Sequence, residues 1–162
     1  MSHKKLSVSL LKHPVHFLAL GFGSGLAPKA PGTFGTLMAI PLYLMLQPLS
    51  ITYYLIVVLF VSIIGIYICD KSSEMMGVHD HPGIVWDEFA GYLITMIAAP
   101  VGWVWVLVGF AFFRFFDILK PWPIKKIDRS VKGGFGIMFD DVLAGVFAAI
   151  CLQLVYWVVN NV

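Results

Sequence analysis

Apolar residues run through this chain in long blocks, and the polar residues collect between them. The block at 51–69 and the block at 141–159 each approach the roughly 20 residues that an α-helix needs to cross a bilayer. The block at 33–46 is shorter and is interrupted by Pro41. A longer block at 89–116 holds Pro100 and Gly102 near its middle, so it reads either as one kinked helix or as two short helices joined by a tight turn.

The placement of charge separates these two readings. All eleven Lys and Arg residues lie within 1–31, 70–86 and 114–140, and the nine acidic residues lie in or just past the same stretches. The connections at 47–50 and 100–103 carry no charge, and neither does the C-terminus. Two helices within 89–116 put every charged stretch on one side of a membrane, whereas one helix would strand the basic residues 120–132 opposite the N-terminus. The positive-inside rule favours the first arrangement and makes that side cytoplasmic. The pattern therefore predicts an all-α, polytopic membrane protein with about five segments, at 33–47, 51–69, 88–100, 102–117 and 141–159. The third and fourth are short for spanning and imply thinned bilayer or burial among other helices. Lys12 and His13 break the N-terminal apolar stretch, and no small-residue cleavage site follows, so 5–20 is expected as an interfacial helix rather than a signal peptide.

Composition agrees. Hydrophobic residues make up 59% of the 162 residues and charged residues 12%, against roughly 45–50% and about 25% in ordinary soluble domains. Mean hydropathy is +0.87. A chain of this length is one domain (1–162), with an N-terminal segment and glycine-rich loop over 1–31 and a helical bundle over 32–162. So much apolar surface excludes a soluble globular enzyme, a disordered chain and a nucleic-acid-binding domain. Cys69 and Cys151 both sit in apolar runs, which argues against a disulfide framework or a zinc site.

Three stretches on the charged side carry candidate chemistry. The stretch 21–36 holds five glycines and two prolines. Its backbone N–H groups and the helix start that follows suit an anion such as phosphate, but taken alone the stretch reads more simply as a tight turn capped by Thr33 or Thr36. The second feature is an internal echo: Gly83-Ile-Val-Trp-Asp-Glu88 matches Gly136-Ile-Met-Phe-Asp-Asp141, and each copy is followed by an Ala-Gly pair, Ala90-Gly91 and Ala144-Gly145. Acids favour helix N-termini by about 0.3–1 kcal/mol each. That does not account for two adjacent acids on two helices at the edge of an apolar slab, where ionised groups are costly. Asp87, Glu88, Asp140 and Asp141 would repel one another unless a cation held them, and hard oxygen donors select Mg²⁺, Mn²⁺ or Ca²⁺. The small residues one turn on let the two helices approach closely. The third feature is Arg114, Asp117 and Lys120, spaced to share one helical face ahead of Pro121 and Pro123. It reads as snorkelling basic residues with an i,i+3 ion pair, or as a phosphate clamp of Arg114 and Lys120 with Asp117 as acidic ligand or base. Lys125, Lys126, Arg129 and Lys132 read as topology determinants that also attract anionic headgroups. His79-Asp80-His81 has the look of a metal triplet but is more simply a solvated loop.

Together these motifs resemble the phosphatidylglycerophosphatase A family of bacterial membrane lipid phosphatases. The resemblance rests on Pro31-Gly-Thr-Phe-Gly-Thr36, on 77–91, on 113–124 and on 133–145, and it extends from about 14 to 146. It implies an all-helical, Mg²⁺-dependent phosphomonoesterase of the bacterial inner membrane, acting on phosphatidylglycerophosphate among membrane lipids to give phosphatidylglycerol. In that mechanism Asp87, Glu88, Asp140 and Asp141 hold metal. Arg114, Lys120, Lys29 and Thr33 contact the substrate phosphate, and Asp117 and Asp141 carry catalysis. An aspartyl-phosphate intermediate is the alternative route. From the residues alone, a cation-binding transporter or a structural membrane subunit is the competing reading; charge confined to one face leaves a transporter no midplane ion site.

Overall fold

The structure is a computed structural model that describes residues 6–79 and 81–161, with only the backbone of Arg129; Lys4, Lys5 and Asp80 lie outside the described residues. Among these residues there is no strand. Seven α-helices follow in order: α1 (Pro14–Ala19), α2 (Pro31–Leu46), α3 (Ile51–Met76), α4 (Trp86–Thr95), α5 (Trp103–Leu119), α6 (Ile124–Ser130) and α7 (Gly133–Asn161). Short 3-10 turns at Val8–Lys12 and Gly21–Leu26 precede and follow α1.

The expected interfacial helix over 5–20 is divided. Pro14 opens α1, and the His13 ring caps it by accepting from the Val15 N–H, which ends the preceding turn at Lys12. α1 is then pinned to α3 by a buried contact of 2.8 Å between His16 Nδ1 and Ser72 Oγ. α2 begins at Pro31, whose fixed φ suits the first helical position, and it runs on through Pro41 to Leu46. Neither threonine caps it: Ala30 occupies the cap position, and Thr36 lies inside the helix, donating to the Gly32 carbonyl.

α3 and α7 are longer than their apolar blocks and are the two helices long and apolar enough to cross a membrane. α3 continues past Cys69 because 70–76 contains no Gly or Pro and gains an i,i+3 pair between Lys71 and Glu74. It stops where Gly77 turns left-handed at φ +66. α7 starts at Gly133, well ahead of 141, because Asp70 accepts from the Gly134 N–H and His79 from the Gly133 N–H. These bonds satisfy a helix start that its glycines alone would leave frayed.

The block 89–116 is two helices. α4 has ten residues, all buried, and at 1.5 Å per residue it covers about 15 Å, half of a hydrocarbon core. It stops at Thr95 rather than reaching 100. α5 folds back antiparallel to it: Thr95 and Met96 pack at Gly109, Gly91 packs at Phe113, and Glu88 faces Arg114. Tyr54 and Tyr92 donate their hydroxyls to the carbonyls of Leu93 and Val106, tying α3, α4 and α5 together. At the far end, Gln153 donates to the carbonyls of Ile97 and Ala98 and closes the uncharged loop.

α4 and α7 meet at the two Ala-Gly pairs. A Cβ on Gly145 would overlap the Gly91 carbonyl, and one on Gly91 would lie 2.8 Å from the Asp141 carbonyl oxygen. The echo in the sequence is thus a close helix crossing one turn below the acids. Gly145→Val should cost about 1–3 kcal/mol of overpacking, read as a fall of several degrees in Tm in detergent. Val159→Ala, on an exposed residue, should leave Tm unchanged. Equal melting of Gly145→Val and the parent would contradict this crossing.

Candidate active site

The hairpin of α4 and α5 brings the charged ends of the helices to one end of the bundle, where they line a cleft of about 250 Å³. α2 contributes Pro31 and Gly32, α4 contributes Asp87 and Glu88, α5 contributes Arg114, Asp117 and Ile118, and α7 contributes Ile137, Asp140 and Asp141. Lys120 enters from the turn after α5. The cleft therefore holds five carboxylates against two cations.

Asp87, Glu88 and Asp141 are all buried, and each offers an oxygen within 4.8 Å of the others. They come from the first turn of α4 and from a point well inside α7, which the close crossing at Gly91 and Gly145 holds together. Oε2 of Glu88 and Oδ2 of Asp141 are buried without a hydrogen-bond partner among the described residues. Oxygen donors at this separation can share one hard divalent ion, whose metal–oxygen distances are about 2.0–2.6 Å. The donor set fits the Mg²⁺ class of ion and contains neither Cys nor His. Asp140, expected beside them, is engaged elsewhere: its Oδ2 pairs with Lys120 Nζ. Adjacent helical residues point about 100° apart, and the second acidic pair divides accordingly.

Arg114 is the other organising centre. Its Nη1 pairs with Asp117 Oδ2, lies 3.8 Å from Glu88 Oε1 and donates to Thr36 Oγ1 at 3.4 Å. Gly32 makes this possible: a Cβ there would overlap Glu88 Oε1 and lie 3.2 Å from Arg114 Nη1. Lys120 adopts a left-handed φ of +43 at the end of α5 and bridges Asp140 and Asp128, the latter at 2.6 Å. Burial alone would lower the Lys120 pKa; the two carboxylates outweigh it and hold the ammonium charged above the ordinary lysine range.

The cleft thus gathers Asp87, Glu88, Asp117, Asp140, Asp141, Arg114 and Lys120. Lys29 is exposed and Thr33 half-buried, and neither is among the cleft-lining residues. His79 and His81 accept from the N–H groups of Gly133 and Gly83 respectively. Three participants were missed in the sequence: Gly32, Thr36 and Asp128. Gly32 and Thr36 stand one turn apart on α2, so helical spacing could have paired them. Asp128 reaches Lys120 across a turn with two prolines, and no local pattern announces that contact.

The described residues form an all-helical chain, with two helices long and apolar enough to cross a membrane and a cleft of acidic side chains that could bind a metal at one end of the bundle. The chain belongs to the phosphatidylglycerophosphatase A family, whose model matches residues 17–156. It is 51% identical to the phosphatidylglycerophosphatase A of Escherichia coli (strain K12) over 150 residues, covering 91% of this chain and 87% of that one. It is 48% identical to the phosphatidylglycerophosphatase A of Haemophilus influenzae over 157 residues, covering 95% and 94%. A Bacteroides thetaiotaomicron protein assigned by name alone to phosphatidylinositol-3-phosphatase activity is 41% identical over 152 residues, covering 88% and 94%. No solved structure matches.

The Lys120 bridge has a thermodynamic consequence. Lys120→Met leaves Asp140 without its cation and should destabilise by about 1–3 kcal/mol, since an uncompensated buried charge costs more than the pair it came from. Adding Asp140→Asn should restore much of the lost Tm. A double variant as unstable as the sum of its single variants would show that the two groups are not coupled.

Proposed function

We propose that this protein is an Mg²⁺-dependent lipid phosphatase that hydrolyses phosphatidylglycerophosphate to phosphatidylglycerol and phosphate at the cytoplasmic face of a bacterial inner membrane. The observation that carries this reading is the convergence of three buried carboxylates beside Arg114 and Lys120 in one cleft. Family membership supplies the reaction, and the geometry supplies a site suited to it.

In this reading α3 and α7 cross the bilayer outright, α2 and α5, with 16 and 17 residues, cross it where it is thinned around them, and α4 enters it about halfway, shielded by the others. The charged end faces the cytoplasm because the basic residues lie there. The lipid tails remain in the bilayer while the headgroup enters the cleft from its side.

Asp87, Glu88 and Asp141 would hold the ion. Such an ion, when bound, polarises phosphoryl oxygens and lowers the pKa of a bound water. Arg114 and Lys120 neutralise the equatorial oxygens of the terminal phosphate. Asp117, aligned by its pair with Arg114, accepts a proton from the attacking water. The water oxygen bonds to phosphorus as the bond to the glycerol oxygen breaks, the leaving oxygen takes a proton from solvent water, and Asp117 returns its proton to solvent. Ile84, Ile118 and Ile137 narrow the cleft and limit bulk water.

Phosphate release from phosphatidylglycerophosphate by the detergent-purified protein tests this directly. Release should require Mg²⁺ and stop in EDTA. Asp141→Asn should lose on the order of 100-fold in kcat/KM, with Tm in metal-free buffer held or raised because one of five crowded negative charges is gone. Phosphatidylinositol 3-phosphate should be cleaved more slowly. Cleavage of that lipid alone would overturn the substrate, and release that persists in EDTA would overturn the metal.

A further inference from the structure

Thr36 lies in the glycine-rich motif of α2, is fully buried, and touches the guanidinium that the proposed function assigns to phosphate. Its Oγ1 donates its single proton to the Gly32 carbonyl at 2.9 Å. A hydroxyl whose proton is committed can only accept. The contact with Arg114 Nη1 at 3.4 Å therefore runs from guanidinium to hydroxyl. The bond is long, which places it at the weaker end of its class.

The surroundings show why a neutral acceptor matters here. Arg114 already faces Asp117 and Glu88. A further carboxylate would compete with phosphate for the same donors and add charge to a cleft already rich in it. A hydroxyl orients the guanidinium without cancelling its charge. Gly32, one turn earlier, clears space for Glu88 on the same side of the guanidinium. Thr36 and Gly32 thus form one face of α2 that fits Arg114 and Glu88 together.

We infer that Thr36 is a positioning residue: it holds the Arg114 guanidinium in register for the substrate phosphate by accepting from Nη1. This inference rests on the reading of Arg114 as a phosphate contact. It reinterprets the glycine-rich motif as support for an arginine rather than as a phosphate cradle.

Three proteins decide it: the parent, Thr36→Val, which keeps the shape and removes the oxygen, and Thr36→Ser, which keeps the oxygen. Thr36→Val should raise KM for phosphatidylglycerophosphate about tenfold, the lower end of what a charge-assisted bond supplies, with kcat within about twofold, because the contact serves ground and transition state alike. Thr36→Ser should return KM to within about twofold of the parent. Inhibition by inorganic phosphate should weaken in Thr36→Val by the same factor as KM. Calorimetric binding of inorganic phosphate to the three proteins measures the same difference without turnover. A parent that binds phosphate but leaves the lipid intact would sink the substrate reading, and the binding series would still decide Thr36. Equal phosphate affinity in all three proteins, a parent that binds no phosphate, or a Thr36→Ser as impaired as Thr36→Val with matching loss of Tm would overturn the inference.

Discussion

The structure depends on one electrostatic constraint: five carboxylates against two cations in a small cleft at the end of an apolar bundle. Each pair of like charges about 4 Å apart costs several kcal/mol where the surroundings are only moderately polar. Folding tolerates that cost only if the charges are divided among partners. The cleft shows such a division. Asp117 is taken by Arg114, Asp140 by Lys120, and Lys120 is shared with Asp128. Asp87, Glu88 and Asp141 converge on one another, with only the more distant Arg114, 3.8 Å from Glu88, beside them. The unbalanced charge is confined to the place where a divalent ion would offset it.

The helices are arranged to make that convergence possible. α4 is a short helix wrapped on all sides, and its acids sit in its first turn, where the helix dipole favours them. The acids of α7 lie inside a long helix, where no dipole helps. They reach α4 because Gly91 and Gly145 remove the side chains that would otherwise separate the backbones. Gly32 does the same between α2 and Glu88. Close packing of small residues, rather than a flexible loop, sets the distances between charges.

Much of this was legible in the sequence because long apolar blocks must form helices and the charged residues collect between them. The two short helices within 89–116 follow from where Arg114 and Lys120 must lie, and the structure closes that hairpin. The echo of Trp86-Asp87-Glu88 and Phe139-Asp140-Asp141 announced two acidic helix segments and their small-residue crossing. What the echo hid was its asymmetry. The two copies look alike, yet Glu88 and Asp87 both reach the cluster while Asp140 turns to Lys120. Helix ends near the charged face were misjudged for a related reason. Asp70 and His79 extend α7 by bonds from distant residues, and such bonds have no local signature. The glycine-rich motif read more simply as a capped turn than as a phosphate cradle; its buried Thr36 and Gly32 lie within α2 and face Arg114 and Glu88.

Asp87, Glu88 and Asp141 are proposed to hold one divalent cation. The most direct measurement is the melting temperature of the detergent-solubilised protein as Mg²⁺ is titrated, for the parent and for Asp141→Asn. An ion that binds only the folded state stabilises it by about 2.7 kcal/mol at a hundred times its Kd, so above Kd the parent Tm should keep climbing with the logarithm of Mg²⁺ while that of Asp141→Asn stays flat. A parent Tm indifferent to Mg²⁺, Mn²⁺ and Ca²⁺, or an equal rise in both proteins, would contradict it.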